Sequence, residues 1–270
     1  INPKTKKTYN MSFPVITIRD MVNAQKMLID KLGIKKLLSV IGGSAGGFQA
    51  LQWAASYPEK VTTTIPIATS IRHSAQNIAF HEVGRQAIMS DPDWCNGNYI
   101  NKKKRPEKGL TVARMLAHIT YLSEEAFQRK FGRNLQNKLS LTYGFKTDFQ
   151  VESYLKYQGQ AFVDRFDANS YLYITRAMDY FDLPAQNKGG LKSIFKNTPV
   201  KFCVISFTSD WVYPTKYSKE IVDSLNAVGA NVSFVEIQTD MGHDAFLLDE
   251  KEFNETVRGF LKATAAKLGF

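Results

Sequence analysis

Cysteine is scarce in this chain, which has only Cys95 and Cys203. Two thiols so placed build no disulfide framework and lack the paired spacing of a zinc site, so a reducing, cytoplasmic compartment is expected. No stretch approaches the roughly 20 consecutive apolar residues of a membrane-spanning helix, and no basic-then-apolar leader opens the sequence, so no membrane partner is expected. Internal repeats and low-complexity segments are also missing. What is present excludes whole-chain disorder: 270 residues that are 44% hydrophobic and 22% charged suffice for one large domain or a domain carrying an insertion. Basic residues exceed acidic ones by 35 − 25 = +10, a balance suited to nucleic acid or to an anionic small molecule. The basic residues are scattered and no recognition motif accompanies them, which argues against nucleic acid.

Apolar residues recur at helical spacing from Thr17 to Leu32 (Ile18, Met21, Val22, Leu28), and Gly33 follows as a helix-ending residue. Lys36 to Ile41 is rich in Leu, Val and Ile and bounded by Gly42 and Gly43, the pattern of a strand buried on both faces. A helical pattern resumes at Phe48, Leu51 and Ala54 and stops at Pro58, and Val61 to Ala68 supplies a second β-rich run. This alternation predicts an α/β class with a mostly parallel sheet, its first part in residues 1–69. Between about Ser70 and Asn187 only helical patterns and polar turns occur, which predicts an inserted helical subdomain over 70–187. Strand and helix alternate again in 188–270: Val200–Phe207, Thr215–Val228, Val232–Ile237 and Phe253–Leu268.

At the first strand-to-helix junction stands Gly42-Gly43-Ser44-Ala45-Gly46-Gly47, which contains Gly-x-Ser-x-Gly. A nucleophilic serine needs a sharp turn so that its hydroxyl projects from the sheet, and small neighbours let the backbone pass close by; Gly42, Gly46 and Gly47 are expected to meet that need. The helix that follows aims its first N–H groups at the site, and the N–H of Ala45 is the expected oxyanion donor. A phosphate loop is the competing reading, but the Walker lysine and the dinucleotide glycine spacing are both missing. Partners of such a serine follow in the order acid, then histidine, on loops after later strands. Only His243 lies after the last strand, in Asp240-Met241-Gly242-His243-Asp244, whereas His73, His81 and His118 fall in the helical insert. The strand Val200–Phe207 leads into Thr208-Ser209-Asp210, making Asp210 the candidate acid; its alternative reading is a helix N-cap ahead of Pro214.

Beyond the triad, long stretches resemble the homoserine O-acetyltransferase family of α/β-hydrolase-fold enzymes. They include Phe13-Pro14 with Thr17-Ile18-Arg19-Asp20, Gly84-Arg85-Gln86-Ala87-Ile88, Arg165-Phe166-Asp167-Ala168-Asn169-Ser170-Tyr171-Leu172 and Gly242-His243-Asp244-Ala245-Phe246. The resemblance implies an α/β-hydrolase fold with a helical lid, and transfer of acetyl from acetyl-CoA through Ser44 to the hydroxyl of L-homoserine. It implies no cofactor beyond acetyl-CoA as co-substrate, no metal, and a homodimer packed through lid helices, with Ile119 and Leu172 as candidate faces. Homoserine is a zwitterion, and the family pattern places carboxylate-binding residues at Arg114 and Tyr121 and an ammonium-binding aspartate at Asp244. Arg114 and Tyr121, seven apart, fall on one face of a helix. Read without the resemblance, Arg114 is an ordinary surface or interhelical ion-pair residue.

Competing expectations are succinyl transfer, transfer to serine, ester hydrolysis by the same triad, and, in another class, a non-catalytic binding protein. His81, where relatives are expected to carry asparagine, and His118 read as packing or helix-surface residues. Ala45 replaces the methionine usual after the nucleophile, and Lys102–Arg105 reads as a solvated loop that attracts CoA phosphates at most. The chain begins at Ile1, and in the family several strands precede the Thr17 helix, one of whose loops supplies the second oxyanion donor. The expectation is a nucleophile strand on an open apolar edge, with poor solubility and little activity for these residues alone.

Overall fold

The computed structural model describes residues 1–269. In chain order the helices and strands are α1 (Ile18–Lys31), β1 (Leu37–Gly43), α2 (Ala45–Ser56), β2 (Val61–Ile67), α3 (Ala75–Met89), α4 (Glu107–Tyr121), α5 (Glu124–Lys130), α6 (Gln150–Val163), α7 (Ala168–Asp179), α8 (Gly190–Ile194), β3 (Lys201–Phe207), α9 (Thr215–Asn226), β4 (Val232–Ile237) and α10 (Lys251–Lys267). They divide into a sheet unit (Thr17–His73, Tyr121–Ser123 and Met178 onward) and a helical unit (Ile1–Ile16, Ser74–Thr120, Glu124–Ala177). Among the described residues no helix is long and apolar enough to cross a membrane.

In the sheet unit, α1 starts where the chemistry directs: the Thr17 side chain accepts from the Asp20 N–H while the Asp20 carboxylate accepts from the Thr17 N–H, a reciprocal cap. Its buried Ile18 and Val22, one turn apart, face the core. The four strands are all parallel in the order β1-β2-β3-β4, with Leu37 opposite Val61 and Phe202 opposite Val232. Alternation along β3 fills two cores. Phe202 and Val204 pack with Phe48 and Leu51 of α2 and Ile221 and Leu225 of α9, whereas Cys203, Ile205 and Phe207 join a cluster bordered by Phe253, Val257 and Phe260 of α10. The sheet is thus covered on both faces, as parallel sheets require. The buried hydroxyls of Thr63 and Thr64 donate to the carbonyls of Leu38 and Val40, so polar side chains in β2 leave no orphaned group. β1 is an edge, and Leu38 and Ile41 are 38% and 45% exposed.

The helical unit closes on Ile88, Tyr99, Leu110, Ala113, Phe162, Val163, Ala168 and Leu172. Its helices cross tightly at Gly109, where a Cβ would stand 2.4 Å from the Ala87 carbonyl oxygen. Leu172 is therefore core and not a face for a second subunit, whereas Ile119 is 41% exposed.

The unit boundaries differ from the expected 1–69, 70–187 and 188–270. Residues 1–16 pack with the helices because the Tyr173 hydroxyl donates to the carbonyls of Met11 and Phe13, and Tyr9, Phe13 and Tyr173 stack edge to face. Residues 70–73 and 178–187 belong to the sheet unit: the Leu183 N–H donates to the Ile71 carbonyl at 2.9 Å, and Phe181 stacks on Phe48. The basic turn Lys102–Arg105 is exposed, as expected, with Lys104 pairing with Asp93 at 2.7 Å and Arg105 donating to the Val163 carbonyl at 2.6 Å.

Candidate active site

Between β1 and α2 the chain reverses within one residue. Ser44 adopts φ 55°, ψ −121°, a conformation that costs a non-glycine residue about 1–3 kcal/mol and persists only where its surroundings enforce it. Three bonds do so here: the Ser44 N–H donates to the Ile67 carbonyl, and the Ser44 carbonyl accepts from the Gly47 N–H and the Thr69 hydroxyl, each at 2.9 Å. Glycine is needed at Gly42, where a Cβ would stand 2.1 Å from the Gly46 carbonyl oxygen, and at Gly47, where it would meet the Thr69 side chain at 2.5 Å. Gly46 itself has open space around its Cα, so the expected requirement there shifts to Gly43, whose Cβ would meet the Phe246 ring at 2.5 Å. α2 begins at Ala45, so the Ala45 N–H is one of the first-turn donors without an intrahelical acceptor.

Two loops from the C-terminal ends of β3 and β4 bring Asp210 and His243 together. Asp210 Oδ1 accepts the N–H groups of Val212 and Tyr213 at 2.9 Å each, and Oδ2 lies 2.8 Å from His243 Nδ1, with both side chains buried. Asp210 thus caps its own turn; the N-cap of α9 is Pro214, which removes the alternative reading. The loops are stitched together by the Gly242 N–H donating to Ser209 Oγ and by paired bonds between Thr208 and Thr239. Gly242 has φ +78°, and a Cβ there would strike the Tyr121–Ser123 backbone at 2.6–2.8 Å. The His243 ring lies 5.4 Å from that of Tyr213 and 5.6 Å from that of Phe246, centroid to centroid. Phe246 packs on Gly43 as well as beside His243, so the turn that carries Ser44 and the histidine loop share a neighbour.

The remaining expected residues are distributed between the units. The Tyr121 ring sits 5.8 Å from that of His243 in the sheet unit, and Asp244 follows His243 in a short 3-10 turn. Arg114, on the same helix as Tyr121, belongs to the helical unit, where its guanidinium lies 4.7 Å above the Phe162 ring. His118 is buried beside Tyr154; burial first, then the positive charges of Arg114, Arg165 and Lys130, pull its pKa down to about 4, as befits a packing residue. The buried Cys203 thiol is pushed up to about 11 and is no nucleophile.

Sequence reasoning missed a second buried pair in the sheet unit. His73 Nδ1 lies 3.1 Å from Asp179 Oδ1, and His73 Nε2 lies 2.7 Å from the Tyr213 hydroxyl. Burial, followed by the Asp210 charge, raises the Tyr213 phenol well above its ordinary range. The signal was position: Tyr213 stands three residues after the candidate acid, and His73 on the loop beyond a central strand's C-terminal end, where α/β sheets carry their sites.

Comparison with known proteins places the fold and the family. A family model of the α/β hydrolase fold matches residues 2–250. The chain is 64% identical over 268 residues to the homoserine O-acetyltransferase of Mesorhizobium japonicum, covering 99% of this chain and 69% of that protein. Among solved structures, the homoserine O-acetyltransferase of Bacillus anthracis is similar with a TM-score of 0.88 and 29% identity over 97% of this chain and 69% of its own. Esterase E22 is similar with a TM-score of 0.86 and 31% identity over 97% of this chain and 71% of its own.

Proposed function

The chain belongs to the homoserine O-acetyltransferase family of α/β-hydrolase-fold enzymes, and from that premise we propose that it transfers acetyl from acetyl-CoA to the hydroxyl of L-homoserine through an acetyl-Ser44 intermediate. The observation that carries the reading is the strained Ser44 at a strand-to-helix turn beside a buried Asp210–His243 pair. His243 takes the Ser44 proton as Oγ attacks the thioester carbonyl, and the Ala45 N–H stabilises the oxyanion. The C–S bond breaks, His243 protonates the departing thiolate, and CoA leaves. His243 then deprotonates the homoserine hydroxyl, which attacks acetyl-Ser44; O-acetyl-L-homoserine departs and Ser44 regains its proton. Asp210 holds His243 with the proton on Nδ1 and offsets the positive charge that the ring acquires.

In this scheme Arg114 and Tyr121 take the homoserine carboxylate and Asp244 its ammonium group. Thioester chemistry of this kind is complete with acetyl-CoA as co-substrate and calls on no metal. A dimer would use exposed apolar positions such as Ile119.

The likeness to esterase E22 supports a second reading, hydrolysis by the same Ser44 ester. One assay separates the two: CoA release from acetyl-CoA with and without L-homoserine, beside Ser44→Ala. Transfer predicts release that depends on homoserine and falls on the order of 10⁴-fold or more in the variant. Release that needs only water would favour hydrolysis, and an active Ser44→Ala protein would remove the mechanism.

A further inference from the structure

Tyr213 touches both members of the Asp210–His243 pair. Its N–H donates to Asp210 Oδ1 at 2.9 Å, and its ring lies 5.4 Å from the His243 ring, centroid to centroid. The far end of the same side chain is fixed elsewhere in the sheet unit. The phenol oxygen lies 2.7 Å from His73 Nε2, and His73 Nδ1 lies 3.1 Å from Asp179 Oδ1, with the His73 and Asp179 side chains 1% and 4% exposed. Phe48 packs edge to face against both the His73 and Tyr213 rings and stacks on Phe181, which leaves neither ring room to swing. A phenol both donates and accepts, so its bond to Nε2 persists whether the imidazole is neutral or charged.

The turn that carries Asp210 is held differently on its two sides. Before Asp210, Thr208 and Ser209 bond to the loop that carries His243. After it comes Pro214, which has no N–H to donate, and the Tyr213 phenol joins this exit to His73 on the loop after β2. We propose that Asp179 and His73 form a buried mount that, through Tyr213, holds the Asp210 carboxylate and the His243 ring in register, making all three positioning residues for the base. The inference rests on the reading of His243 as the base for Ser44 but on no particular acyl acceptor. The mount moves no proton; it limits how far the turn can drift, and a misplacement of about 1 Å at a reacting group costs on the order of 10²-fold in rate. Weakening it should therefore slow each intact site without reducing the number of such sites.

A fluorophosphonate probe separates slower sites from fewer sites. It labels an activated serine irreversibly: Oγ forms a bond to phosphorus, fluoride leaves, and the base takes the hydroxyl proton. The extent of labelling counts intact sites, and the labelling rate reads the base. The parent is expected to take the label on Ser44, located by peptide mass spectrometry. Tyr213→Phe is expected to reach the same extent about tenfold more slowly, the size of one lost hydrogen bond. His73→Leu should follow it, whereas His73→Gln, whose amide oxygen still accepts from the Tyr213 hydroxyl, should stay within about threefold of the parent rate. The two His73 variants decide the matter should Tyr213→Phe fail to fold. Labelling at the parent rate in Tyr213→Phe and His73→Leu, whatever its extent, overturns the mount, and so does a His73→Gln protein as slow as His73→Leu. A parent protein that takes no label on Ser44 overturns the reading of the site and the mount with it.

Discussion

Two buried carboxylate–imidazole pairs lie in the sheet unit, 2.8 Å apart in Asp210–His243 and 3.1 Å in Asp179–His73, and they are wired to opposite ends. Among the described residues His243 hydrogen-bonds only through Nδ1, so Nε2 remains for a proton in transit. At His73 both ring nitrogens are engaged, the second by the Tyr213 hydroxyl. The pair alone does not make a base. What decides is the second nitrogen: left open it can accept a proton, and committed to a phenol it becomes a fixed mount.

The largest effect expected from this difference is in activity. Asp210→Asn should lower kcat on the order of 10⁴-fold, because the wrong His243 tautomer is favoured, whereas Asp179→Asn, whose histidine has no open nitrogen, should cost far less. Equal losses measured in steady-state kinetics would erase the distinction. Next in size is the turn that carries Ser44. Gly42→Ala forces a Cβ to within 2.1 Å of the Gly46 carbonyl oxygen, and about 3 kcal/mol of unfolding free energy should be lost in denaturant titration.

A third buried imidazole sharpens the contrast, since His118 has cations rather than a carboxylate as its charged neighbours. Its pKa is about 4 in the folded protein against an ordinary 6.5, so the unfolded chain binds a proton that the folded one refuses. Stability should therefore fall as pH drops from about 6.5 to about 4, and a His118→Gln protein should show a shallower fall in Tm over that window. Parallel curves would contradict the burial argument. The smallest effect belongs to Gly46→Ala, which meets nothing within 4 Å and should stabilise α2 by roughly 0.5–1 kcal/mol, seen as a modest rise in Tm.

Much of the sheet unit was legible because its strands carry local signals. Lys36–Ile41 between a helix stop and two glycines, and Val200–Phe207 leading into a polar turn, both became parallel strands, and chain order alone picked His243 and Asp210 as a pair. The short α5 and the irregular stretch after it left no periodic trace. Long-range packing was equally hidden. Nothing near Tyr173 announces that its hydroxyl ties down Met11 and Phe13, and nothing near Leu172 distinguishes a core leucine from a dimer-facing one. The Asp179–His73 contact spans 106 residues and joins two positions that pattern reading assigns to a helical insert. Helical spacing finds a face; it does not say which distant side chain will meet it.

The most direct test of the account is to mix the protein with acetyl-CoA in the absence of any acceptor, quench, and map the acetyl group by peptide mass spectrometry, then repeat after adding L-homoserine. The account predicts one acetyl group on Ser44, discharged by homoserine as O-acetyl-L-homoserine. Homoserine-dependent CoA release without acetyl on Ser44, or an acetyl group carried by another residue, would contradict it.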